Sequence, residues 1–150
     1  MTATSYQNIR LLGVVDDGSK FDPRVPPNTA TTITCPQGGT VTVEVSLVYN
    51  SGVPVDVASL PAWAATLTVV DTFLPDNVRC EALTIASGIL VSAEAKNKLR
   101  FLLNSRDLRR AVPGRYFFDV WLTSTEGAVT TKWQVIRMGA FVLLAGFAPR

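Results

Sequence analysis

The sequence predicts an all-β fold: an antiparallel β-sandwich of about seven to nine short strands, with an extended N-terminal arm. Three observations carry this prediction. From Thr40 onward, apolar and polar residues alternate with the period of two that a half-buried strand requires. Turn-forming Gly, Pro, Asn and Asp recur between the alternating runs. No segment carries a convincing amphipathic helical stripe, and many short strands without helices are the pattern of a sandwich or barrel. At 150 residues, 47% hydrophobic and 17% charged, the chain matches one domain that can build a core without a staple.

Residues 1–32 read as the arm, and 33–150 as the sandwich domain. Within the arm, "NIRLLGVV", Asn8 to Val15, has the make-up of a short strand. The following "DDGSKFDPRVPPNTATT" holds Pro23 and the pair Pro26-Pro27, a composition of turns and polyproline-like chain. An ordered arm of this kind is expected to lie against something.

In "TVTVEVSLVY", Val41, Val43, Val45, Leu47 and Tyr49 share one face, and Thr42, Glu44 and Ser46 the other. "NSGVPVD" turns the chain. "ATLTVVDT" follows as a strand with Leu67 and Val69 inward and Thr66 and Thr68 outward. "FLPDN" is a turn, and "VRCEALTIASGILVS" carries one or two strands punctuated by Gly88. "AKNKLRFLLNS" points Leu99, Phe101 and Leu103 inward. "SRDLRRAVPG" suits a single helical turn capped by Ser105 and stopped before Pro113.

A final hairpin places Tyr116, Phe118, Val120 and Leu122 on one face, turns at "STEG", and runs on from Val129 to Leu143. Gly114-Arg115-Tyr116 at its start is similar to the tyrosine corner of immunoglobulin-like sandwiches, which makes that sandwich type the expected one.

Composition excludes much chemistry. There is no histidine, which removes Ser-His-Asp and Cys-His nucleophile activation and imidazole-dependent zinc sites. Cys35 and Cys80 form no C-x-x-C pair; they suit two buried free thiols or, if their Cα atoms come within about 7 Å, one disulfide. The net charge of +2, from 14 basic and 12 acidic residues, is too slight to predict nucleic-acid or membrane binding. The N-terminal residues lack the pattern of a secretory signal, and "GAFVLLAGFA" is shorter than the ~20 residues that span a bilayer. The expectation is a product made in a cytoplasm that does not act at a membrane. No catalytic residue, metal ligand or cofactor is expected. Asp16, Asp17 and Asp22 lack calcium-loop spacing, and phosphate-binding or nucleophile-elbow motifs are absent.

Two groups of residues merit attention. Phe117, Asp119 and Trp121 alternate onto the outer face of the hairpin, and the same reading adds Trp133 and Arg137 from its second strand. Aromatics with arginine are what interface centres prefer, so this face is expected to contact another subunit, the N-terminal arm or a second core layer. With the turn near Glu126-Gly127, Asp119 is expected across from Gln134 and near Ile136. The second group is a basic patch: Lys96, Lys98, Arg100, Arg106, Arg109 and Arg110. It suits a solvated face better than nucleic acid, since no aromatics interleave with it.

The ordered series "GGTVTVEVSLVYNSGVPVDVASLPAWAATLTVVD", "NSRDL" and "VPGRYFFDVWLTSTEGAVTTKWQVIRMGAFVL" resembles the immunoglobulin-like N-terminal domain of the baseplate upper protein family of tailed bacteriophages. The likeness covers about residues 38–144. It implies a non-enzymatic sandwich that assembles into a virion as a homo-oligomer or with other capsid or tail proteins. Family members often continue into further domains and the arm is outside the pattern, which makes a capsid decoration protein or a small tail component the expected role. Two rivals come from other classes: a carbohydrate-binding or adhesion module using Trp63 or Trp121, and a glycosidase using Asp71 and Asp76.

Overall fold

The computed structural model describes residues 6–16, 18, 32–36, 40–70, 82–92, 94–103 and 113–144. Nine strands account for most of them: β1 (Tyr6–Val15), β2 (Thr32–Pro36), β3 (Thr40–Tyr49), β4 (Ala64–Val70), β5 (Ala82–Ser87), β6 (Ile89–Leu90), β7 (Lys98–Leu103), β8 (Gly114–Glu126) and β9 (Val129–Leu144). They form a four-stranded sheet in the order β1-β3-β7-β6 and a five-stranded sheet in the order β2-β9-β8-β4-β5. The sheets pack face to face as a sandwich. A single 3-10 turn, Val57–Ser59, is the one helical element among the described residues.

Alternation decides what is buried. Val41, Val43, Val45 and Leu47 of β3, Leu67 and Val69 of β4, and Leu99, Phe101 and Leu103 of β7 are all fully buried. So are Phe118, Val120 and Leu122 of β8. Each such side chain removed from water contributes roughly 1.5–3 kcal/mol, so the inner faces supply the main driving force. Tyr116 adds an edge-on contact with Phe141, ring centroids 6.4 Å apart.

The N-terminal segment departs from the expected arm. Residues 6–15 form an edge strand, with Val14 and Val15 buried, so this segment contributes to the core. Nor is the sandwich wholly antiparallel: β1 runs parallel to β3 and β2 parallel to β9, while the other pairs are antiparallel. Parallel neighbours need long connections rather than hairpins. Both parallel pairs have such connections: β1 reaches β3 by way of β2 in the other sheet, and six strands separate β2 from β9 along the chain. The expected helical turn after Ser105 lies outside the described residues.

Glycines mark places where the packing leaves no room for a side chain. Gly13 of β1 sits against β9, where an added Cβ would lie 2.9 Å from Leu47 Cδ2 and 3.2 Å from Val135 Cβ. At the other side the chain passes from β5 to β6, switching sheets, at Gly88. Its N–H donates to the Ala65 carbonyl at 2.8 Å, and a Cβ there would meet the Phe101 ring at 2.9 Å. Gly139 of β9 lies under the Phe118 ring, into which a Cβ would intrude.

Gly88→Ala and Gly139→Ala should each destabilise the chain by about 1–3 kcal/mol, the usual cost of overpacking, as read from denaturant midpoints. Deleting residues 1–16 should lower the midpoint further, because it removes an edge strand and its buried valines. A truncated chain as stable as the full one would contradict the placement of β1 in the core.

Candidate interaction surface

The β8–β9 hairpin organises the candidate residues. Its turn is the two-residue loop Gly127-Ala128, flanked by the pair Glu126↔Val129. Gly127 has φ +61° whereas Ala128 has none of the positive-φ character, the signature of a type II′ turn that follows strand twist. From this turn the register places Gln134 opposite Trp121 and Trp133 opposite Leu122. The expected pairing of Asp119 with Gln134 is therefore displaced by two residues.

Two irregularities follow in β9. Between the pairs Phe118↔Gly139 and Val120↔Ile136, Asp119 alone faces two residues of β9; between Val120↔Ile136 and Trp121↔Gln134, Val135 is extra. Such bulges break the alternation of a strand. Val135 and Ile136 are consequently both buried, so period-two alternation in β9 breaks between these two residues, and Trp133 and Val135 face inward rather than outward.

The expected aromatic face is divided by the hairpin register. Phe117, Asp119 and Trp121 do lie together, half-buried, on the outer face of the five-stranded sheet. Thr68 of β4 stands beside Asp119, and Thr66 beside Trp121. Trp133 is not with them. It pairs across from core-facing Leu122, and directly opposed residues share a face, so it packs at the end of the core instead. Arg137 belongs to β9 by its backbone, and its side chain lies outside the described residues.

The basic patch is interrupted where it is described. Lys98 Nζ lies 3.9 Å from Glu44 Oε1, Arg100 is exposed and paired across strands with Glu44, and Lys96 shares a shallow depression with Asp56 and Glu94. Arg106, Arg109 and Arg110 lie outside the described residues, as do Asp71, Asp76 and Cys80. Asp16 closes a turn, accepting from Gly18 N at 3.0 Å and from Asn50 Nδ2 at 2.6 Å. Among the described residues no group of three or more potential metal-ligating side chains occurs, and no helix is long and apolar enough to cross a membrane.

A feature that the sequence reading missed lies at the hairpin end. The loop at Leu60–Ala62 folds over the hairpin, where the Pro61 carbonyl accepts from Ser124 Oγ at 2.7 Å and Thr125 N at 3.0 Å. Ala62 holds φ +42°, an unusual conformation for a residue with a Cβ. Between loop and hairpin opens a cleft of about 530 Å³, lined by Leu60, Pro61, Val129 and Trp133 with Ser124, Glu126 and Thr131. Trp63, next to the loop, packs against the core.

No family model matches the chain, and no curated protein sequence matches it. Among solved structures it is similar to the N-terminal domain of phage TP901-1 ORF48, at 14% identity and a TM-score of 0.47, covering 91% of this chain and 98% of that one. It is also similar to auracyanin A, a blue copper protein from the green thermophilic photosynthetic bacterium Chloroflexus aurantiacus. That likeness has 12% identity and a TM-score of 0.41, covering 93% of this chain and 99% of the other. The sandwich itself is established by the two packed sheets.

Cys35 is a free, fully buried thiol whose pKa burial pushes up to about 11. The folded state thus holds this proton more tightly than the unfolded chain. Its contribution to stability is complete below pH 9 and is lost as pH rises toward 11. In a Cys80→Ser background, Cys35 should resist aromatic disulfide reagents at pH 8 and react fully once the chain is unfolded in denaturant. Rapid labelling of the folded chain would contradict its burial.

Proposed function

We propose that this chain is a non-enzymatic structural protein of a bacteriophage virion, working through protein–protein contacts as a capsid decoration protein or a small tail or baseplate component. It is made in the host cytoplasm and acts in the particle, where it contacts other virion proteins and further copies of itself. The ordered strand-and-turn series over residues 38–144, with its resemblance to the baseplate upper protein domain, supports the phage assignment.

The observation that carries the contact mechanism is the outer face of the five-stranded sheet. There Phe117 and Trp121 flank Asp119 near the middle of a broad, threonine-rich surface. Half-exposed aromatics grouped around a polar centre are the composition of interface cores, where a few such residues dominate binding.

One observation favours a second reading, glycan binding: Trp121 is flanked across strands by Thr66 and Gln134, hydrogen-bonding groups beside an aromatic ring. Trp63, the other candidate for a sugar platform, packs against the core and suits that role less well.

Purified particles should contain the chain at a fixed stoichiometry. Trp121→Glu and Phe117→Glu should leave the β circular-dichroism signal unchanged while reducing incorporation at least tenfold, consistent with about 2 kcal/mol at a hot spot. Absence from particles would overturn the virion assignment. Normal incorporation of both variants would move the contact elsewhere, and glycan binding lost on Trp121→Ala would favour the second reading.

A further inference from the structure

We propose that the cleft between the Leu60–Ala62 loop and the β8–β9 hairpin binds an arginine side chain presented by a partner protein. The inference stands on the cleft alone and does not depend on the virion reading. At about 530 Å³, it falls within the range of sites that hold a small group. Its walls are apolar, formed by Leu60, Pro61 and Val129, the last of which is 67% exposed. Trp133 contributes an aromatic surface.

The polar groups decide which ligand fits. Glu126 supplies a carboxylate, and Ser124 and Thr131 supply hydroxyl oxygens. The Ser124 hydroxyl already spends its proton on the Pro61 carbonyl, so it meets a ligand as an acceptor. Among the described residues no lysine, arginine, asparagine or glutamine lines the cleft. An acceptor-rich, donor-poor site selects a ligand rich in donors and disfavours an anion. A sugar needs several donors for its oxygens as well as acceptors for its hydroxyls, and among the described lining side chains only the Thr131 hydroxyl and the Trp133 indole N–H can donate. A guanidinium on an apolar stem matches each part: the stem runs along Leu60, Pro61 and Val129, and the planar head meets Trp133 and Glu126. Arginine suits this better than lysine because its flat, forked head both stacks on aromatic faces and pairs with a carboxylate in two-pronged fashion.

The cleft is held open by its own construction. Two hydrogen bonds on Pro61 and the type II′ turn brace its two lips, so little ordering is needed on binding.

The test is an NMR titration of the isotopically labelled full chain with N-acetyl-arginine amide, its neutral citrulline analogue and N-acetylglucosamine. The arginine probe should give saturable shifts at the Trp133 indole N–H and Val129 methyls, with a dissociation constant on the order of 10 mM for one isolated side chain. Added salt should weaken it, and Glu126→Gln should weaken it roughly fivefold. Citrulline and the sugar should not saturate. The proposal is overturned if the arginine probe fails to saturate at these resonances, if citrulline or the sugar binds as well, or if Glu126→Gln leaves the affinity unchanged.

Discussion

Everything in this structure depends on two sheets approaching closely enough for their inner side chains to interlock. Phe101 from one sheet and Phe118 and Phe141 from the other are buried to within 1% of completely. Rings of that size can be seated in a thin layer only where something opposite is small. Gly88 provides such a gap for Phe101, and Gly139, paired with Phe118 on the neighbouring strand of the same sheet, leaves room for that ring. Gly13 does the same at the side where β1 meets β9. Packing at near-crystalline density leaves no slack for a methyl group at such points.

The same constraint shapes the surfaces on which function rests. β9 pairs with β2 on one side and β8 on the other, and it also meets β1 of the opposite sheet at Gly13. The extra residue Val135 turns inward beside Ile136, and the strand's outward and inward positions exchange. On the turn side of the bulges, the register set by the Gly127-Ala128 turn places Trp133 opposite core-facing Leu122, where it becomes a wall of the hairpin cleft, while Phe117 and Trp121 lie on a broad outer face. The hairpin register thus divides these aromatics between two surfaces of different chemistry: a flat face around Asp119, and an acceptor-lined cleft beside Glu126.

Most of the fold was legible because strand alternation is local. The inward sets of β3, β4, β7 and β8 follow from counting by two, and they are buried except for Tyr49 and Tyr116, which are half-buried at the strand ends. The Gly127 turn was legible to within a residue. What escaped involves contacts distant in sequence. β1 looked like an arm because a strand of ten residues followed by proline-rich chain does not reveal that it pairs in parallel with β3. β2, at "TITCP", is too short to declare itself, and its burial of Ile33 and Cys35 comes from lying along β9. The basic residues looked like one patch because Glu44, which stands among them, comes from a strand more than fifty residues away from Lys98.

By itself the sequence determined the class of object. Period-two alternation with frequent turns commits the chain to packed sheets, and the absence of histidine removes whole families of catalysis, since both are properties of residues and their immediate neighbours. The tertiary structure alone decided where alternation breaks in β9, because a bulge is a property of how that strand pairs with β8 and not of its local pattern. It alone created the cleft as well, since Leu60 and Trp133 become neighbours only when a loop and a hairpin more than sixty residues apart are pinned together through the Pro61 carbonyl.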